Sequence, residues 1–96
     1  MAMNDQSILT TTKKTLGLAE DYVVFDREII QQINYVFEML RRKRIGPEQG
    51  FKIRDASATW SDFSDDPATL RTIKSFVYLR VKEQIEPLEW SHSISI

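Results

Sequence analysis

The sequence predicts a mainly α fold: a small helical bundle of two long helices, over 26–44 and 67–86, and a short one over 7–16. Three observations predict it. Between Asp26 and Arg44 the large apolar residues Ile29, Ile30, Ile33, Val36, Phe37 and Leu40 are separated by steps of one and three, which gathers them on one stripe of a helix and would scatter them over both faces of a strand. Further on, Leu70, Ile73, Val77, Val81 and Ile85 recur at three and four, the spacing of a second amphipathic helix. Helix-starting and helix-stopping residues bracket both stretches, Asp26 and Asp66-Pro67 in front, Gly46-Pro47 and Pro87 behind.

In chain order, Met1 to Gln6 is polar and expected to be a loose tail. The segment Ser7–Leu16 predicts a short helix capped by Ser7 or Asp5, with Ile8, Leu9, Leu16 and Thr12 inward, Lys13 and Lys14 toward water, and Gly17 as the left-handed residue that closes it. Leu18–Phe25 is a short connection pinned by Tyr22, Val23, Val24 and Phe25. In the central helix Asp26 is the expected N-cap, with Phe25 and Ile30 as a hydrophobic staple. Glu28 stands near the positive end of its dipole and Arg41, Arg42, Lys43 and Arg44 near the negative end. About 19 residues make a rod roughly 28 Å long. Alone in water it would be marginal, so it must pack.

Gly46 to Asp65 has no helical period. Within it, Gly50-Phe51-Lys52-Ile53-Arg54 alternates apolar and charged, which predicts a short strand near 50–54 carried by a long loop. A lone strand cannot satisfy its own backbone, so it calls for a partner strand in this chain or in a neighbouring subunit. Trp60 and Phe63 are spaced for one helical turn. The second long helix then starts at Asp66-Pro67, with Phe76, Tyr78 and Leu79 widening its apolar stripe, and Pro87 is expected to end or kink it near Ile85. Leu88, Glu89 and Trp90 are placed to dock back on the core, and 91–96 reads as a loose tail.

Ninety-six residues, 42% hydrophobic and 28% charged, fit one globular domain over 1–96 near the lower size limit for an ordinary core. Its net charge of -1 exerts no global pull on nucleic acid or an acidic membrane. No cysteine is present, which removes disulfides, thiolate metal sites and thiol nucleophiles and fits an intracellular origin. No apolar run is long enough to span a bilayer, and the N-terminus lacks the apolar centre of a signal peptide, so no membrane partner is expected. A core this small makes oligomerisation the expected extra source of stability.

No catalytic, cofactor-binding or metal-binding residue is nominated, and the chain reads as a non-enzyme. His92 is the sole histidine and has no convergent partners. Ser57, Ser61 and Ser64 lack a basic partner. Asp55, Asp62, Asp65 and Asp66 crowd one loop, but not at calcium-loop spacing. The run Arg41-Arg42-Lys43-Arg44 is the one local charge anomaly: a helix end dressed with cations, or a set of phosphate contacts in a small helical DNA-binding or regulatory protein. Trp60, beside Phe51 and Phe63 in the aperiodic loop, suits an interface hot spot as well as it suits a core.

The order of segments resembles a group of small phage proteins, the α-helical head–tail connectors of tailed bacteriophages, also called head-completion or DNA-packaging adaptors. The residues that carry the resemblance are Ser7-Ile-Leu-Thr with Lys13-Lys14, Leu16-Gly17-Leu18, Tyr22 to Asp26, Ile33-Asn34 with Val36-Phe37, Ile45-Gly46-Pro47, Gly50-Phe51 and Ile53. Above all there is Ser57-Ala-Thr-Trp-Ser-Asp-Phe63, followed by Leu70 and Ile73 through Val81. The C-terminus departs from the family pattern: Val81 is followed almost at once by Lys82 to Trp90, as though an apolar connection and most of a last helix were missing. The resemblance implies a structural role without cofactor. Subunits would form a homo-oligomeric ring on the portal protein at the head vertex, bind the next head-completion or tail protein, and let DNA pass non-specifically through the ring. The location implied is the virion, assembled in the cytoplasm of a bacterial host or encoded by a prophage. A ring needs two different patches per subunit. The candidates are the Gly50–Phe63 loop, with Phe51, Ile53, Trp60 and Phe63, and the basic end formed by Arg41, Arg42, Lys43 and Arg44.

Overall fold

Ser7 begins the first helix as a cap should, its hydroxyl accepting from the Thr10 N–H at 3.1 Å. In the computed structural model, which describes the backbone of residues 6–94 and the side chains of residues 6–87, this helix is α1 (Ile8–Thr15). It is followed by α2 (Asp26–Arg42), the single turn α3 (Trp60–Phe63) and α4 (Pro67–Ile94). Residues 1–5, 95 and 96, and the side chains of Leu88, Trp90 and His92, lie outside the described set.

Gly17 closes α1 at φ 81°. Leu18 N–H donates to Lys13 O at 2.9 Å and Gly17 N–H to Lys14 O at 3.0 Å, the paired bonds of a Schellman motif. The two long helices clasp each other. The buried residues Ile29, Ile33, Val36, Phe37 and Leu40 of α2 join Leu70, Ile73, Val77, Val81 and Ile85 of α4 in one core cluster, which Ile8 and Leu9 of α1 complete. Full burial of each such side chain contributes about 1.5–3 kcal/mol. Phe76 and Leu79, expected to widen this stripe, are instead 60% and 59% exposed. Phe76 stands roughly 100° around the helix from Val77, and the five stripe residues already fill the face that meets α2.

Two charges behave differently from expectation. Lys13 is only 2% exposed. Its Nζ lies 2.8 Å from Asp26 Oδ1 and donates to the Glu20 carbonyl at 2.8 Å. Asp26 is therefore not the N-cap of α2. It is the first helical residue, while Phe25 supplies the cap carbonyl that accepts from Ile29 N–H at 2.9 Å. With the cap one residue earlier, the staple position falls on exposed Val24, so no Phe25–Ile30 staple forms. In the connection, Phe25 is buried and Tyr22 half-buried against it, whereas Val23 and Val24 face solvent. Asp66 does cap its helix: its Oδ2 accepts from Thr69 N–H at 3.3 Å and from the Thr69 hydroxyl. That hydroxyl holds the Asp66 carboxyl below its ordinary pKa.

Pro87 does not end α4, which continues to Ile94. A proline there removes the bond to the Glu83 carbonyl and costs about 3 kcal/mol in a helix interior. Here Glu83 and Pro87 are both exposed, so the deprived carbonyl sits on the solvent side. Residues 91–94, expected as part of a loose tail, belong to this helix.

No strand forms at 50–54, and the reason is local. Asn34, on α2, takes the place of a partner strand: its Nδ2 donates to Ile53 O at 3.0 Å and its Oδ1 accepts from Ile53 N–H at 2.8 Å. The one bridge of β type among the described residues joins Ser7 and Thr59. Beside it Ile8 N–H donates to Ala58 O at 2.9 Å and Trp60 N–H to Gln6 O at 3.2 Å. The loop is thus tied to α2 at Ile53 and to the start of α1 at Ala58–Trp60. The Trp60 indole N–H completes the second tie by donating to Thr11 Oγ1 at 2.9 Å.

Removing one partner of the Lys13–Asp26 pair should be costly in one direction only. Asp26→Ala strands a buried ammonium and should lower stability by about 3 kcal/mol, whereas Lys13→Met should cost about 1 kcal/mol or less; urea unfolding with unchanged m-values reads both. Asn34→Leu leaves both polar groups of Ile53 without partners and should cost roughly 2–4 kcal/mol by the same measurement. Trp60→Ala should cost about 3–5 kcal/mol as a core truncation, visible as a lowered midpoint in the isolated chain.

Candidate assembly surface

Four aromatic rings gather where the loop crosses α2. Phe37 stacks on Phe63 at 4.8 Å between centroids and meets Phe51 edge-on at 5.0 Å, and Phe51 meets Phe63 edge-on at 5.4 Å. Trp60 closes the group at 6.5 Å from Phe37, with the Lys74 ammonium 5.5 Å from its own ring. Gly46 is needed beneath them. It adopts φ 89°, and a Cβ there would sit 2.5 Å from the Phe63 ring. Of the four apolar loop residues singled out in the sequence, Ile53, Trp60 and Phe63 are packed inside the subunit, and only Phe51 reaches its edge.

The acids of the loop have structural work. Asp55 accepts from the backbone and hydroxyl of Ser57, which lowers its pKa, the hydroxyl contributing most. Asp62 reaches back to accept from Thr59 N–H at 2.9 Å and caps α3. Among the described residues no group of three His, Cys, Asp or Glu gathers as a metal site.

The basic end of α2 is brought together as the sequence suggests, but half of it is engaged. Glu38 receives Arg41 through two bonds, Nε to Oε1 at 2.9 Å and NH2 to Oε2 at 2.7 Å, and Arg42 Nε lies 3.5 Å from Oε2. The Arg41 hydrogen bonds lower the Glu38 pKa from 4.5 to about 2, so at neutral pH this carboxylate stays ionised beside both arginines. Lys43 and Arg44 carry the exposed corner beyond them. Arg44, not Gly46, is the left-handed residue that closes α2, at φ 61°. Arg44 N–H donates to Arg41 O and Ile45 N–H to Leu40 O, both at 2.9 Å. A side-chain-bearing residue in this conformation costs about 1–2 kcal/mol.

The surface that sequence reasoning missed lies between the two long helices. Leu40 and Ile45 on one side and Ala68, Thr72, Ile73 and Phe76 on the other line an open apolar groove. Phe76 projects from its wall, and Met39 and Tyr35 are exposed on α2. Further along, Arg80 bridges the helices, donating to Gln32 Oε1 at 3.1 Å and covering the Tyr35 ring at 4.5 Å. The available signal was the count of apolar positions on α4, which exceeds what a single stripe can bury.

No helix among the described residues is long and apolar enough to cross a membrane. The chain matches no curated protein and no solved structure. It does match the family model of the phage connector proteins over residues 8–94, a span that begins with α1 and ends with α4. A match over that span shows the family, and with it a structural role in the phage particle: the chain belongs to the phage connector proteins.

Proposed function

We propose that this chain is a ring-forming connector subunit that sits on the portal at the head vertex, lengthens the DNA channel and presents a docking surface to the next head-completion or tail protein. The observation that carries the reading is the family match over residues 8–94. The fold is compatible with it. The loop is locked to α2 and α1 rather than left to swing, so the subunit can meet its neighbours as a rigid body. Apolar side chains remain exposed at Ile45, Phe76 and Leu79, beyond those the small core consumes. Phe51, at the edge of the aromatic group, is the loop residue left to contribute to a neighbour, and Lys43 and Arg44 are the cations best placed to meet a partner or passing DNA. Assembly would take place in the host cytoplasm, on heads already filled.

Incubating the chain with portal-bearing, DNA-filled heads of its own phage and imaging the vertex tests this. The expected result is an added ring of density below the portal; heads that stay bare at saturating concentration exclude it. A second measurement concerns DNA. Because Glu38 engages Arg41 and Arg42, any duplex binding by the free chain should have a salt slope reflecting about two phosphate contacts, not four. A slope near four would show that Arg41 and Arg42 leave Glu38 for DNA.

A further inference from the structure

The groove between α2 and α4 has walls of Leu40, Ile45, Ile73 and Phe76, and the exposed cations Lys43 and Arg44 stand at the end of α2 beside Ile45. Its shape and charge call for an occupant that is part apolar and part acidic. The other end of α4 has that character. Lys82, Glu83, Glu86 and Pro87 are exposed around a mostly apolar surface, and from residue 82 to residue 94 the sequence carries three glutamates against one lysine. Thr72 and Glu86 are separated by roughly 21 Å of helix. Because α4 is unbroken from Pro67 to Ile94, its end cannot turn back into its own groove. An occupant from this sequence must come from another molecule.

We propose that the acidic end of α4 in one copy docks along the α2–α4 groove of the next, with Glu83 and Glu86 toward Lys43 and Arg44 and Phe76 against the apolar surface near Pro87. The occupant is a second copy of this chain, held head to tail. Such a contact uses two different patches at opposite ends of one helix, so it repeats from subunit to subunit and closes into a ring where the rotation allows. The inference rests on the connector reading and deepens it by naming the faces that meet between neighbours.

Complementation between two defective variants tests the contact. Phe76→Asp spoils the groove and Glu83→Arg with Glu86→Arg spoils the acidic end; all three positions are exposed, so helix content by circular dichroism should not change. The wild-type chain should sediment above its 11.2 kDa monomer mass as concentration rises toward about 1 mM. Each variant alone should stay monomeric, and an equimolar mixture should form dimers and stop there, because only one intact patch pair remains. Charge reversal of Lys43 and Arg44 to Glu should restore higher oligomers to the Glu83→Arg, Glu86→Arg chain. A wild-type chain that stays monomeric throughout, or variants whose mixture does not associate, overturns the contact. Rings on portal complexes from a chain with that behaviour would leave the connector reading standing. Head-to-tail oligomers that never bind a portal would do the reverse.

Discussion

A helix uses its backbone hydrogen bonds internally, so it can hold an extended segment only through its side chains. Asn34 meets that constraint on α2: one amide presents a donor and an acceptor to the two polar groups of Ile53. Everything the loop does follows from this grip. With Ile53 fixed, Phe51 and Phe63 reach the Phe37 ring on the same helix, Gly46 passes beneath Phe63, and Trp60 arrives at α1 to find Thr11. The irregular stretch thereby becomes a third wall of the core. A segment of this length without that grip would carry buried backbone groups it could not satisfy.

The ion pair plays the corresponding part on the other side. Lys13 and Asp26 come from two helices joined by a tight connection, and their contact sets how α1 lies against the start of α2. Burying an ammonium is expensive, and a well-packed apolar pair would serve stability as well or better. What the pair supplies is position: the ammonium must sit where both the Asp26 carboxylate and the Glu20 carbonyl can reach it. The Schellman turn that ends α1 uses the backbone carbonyl of this same lysine, so cap and ion pair are one local unit.

The three longer helices were legible from spacing alone, because Ile29 to Leu40 and Leu70 to Ile85 are periodic over many turns, and Ser7, Gly17 and Asp66 do what their chemistry favours. The departures share a cause: each depends on a partner far away in the sequence. Lys13 looks solvated until Asp26 is brought beside it, and Asp26 looks like a cap until Lys13 claims its carboxylate. Residues 50–54 alternate like a strand, and only the fold shows that Asn34 is the partner. Pro87 was read by its local rule, which fails where the orphaned carbonyl of Glu83 faces water. Of the candidate surface, the basic cluster was visible as a run, but its partial neutralisation by Glu38 and the burial of Ile53, Trp60 and Phe63 were not. The groove walled by Phe76 was hidden because an apolar residue near a core stripe reads as core.

The family match and these contacts agree on a subunit that is rigid inside and keeps its spare apolar surface for others. The clamped loop is the claim on which that picture turns, and amide hydrogen exchange at Ile53 measures it directly. The account predicts that this amide, bonded to Asn34 in the middle of an irregular segment, exchanges as slowly as those of Val36 and Phe37 within α2, through unfolding of the whole subunit. Exchange of Ile53 at the rate of an unstructured peptide would mean the loop is not held by α2, and the account of a rigid subunit would be wrong.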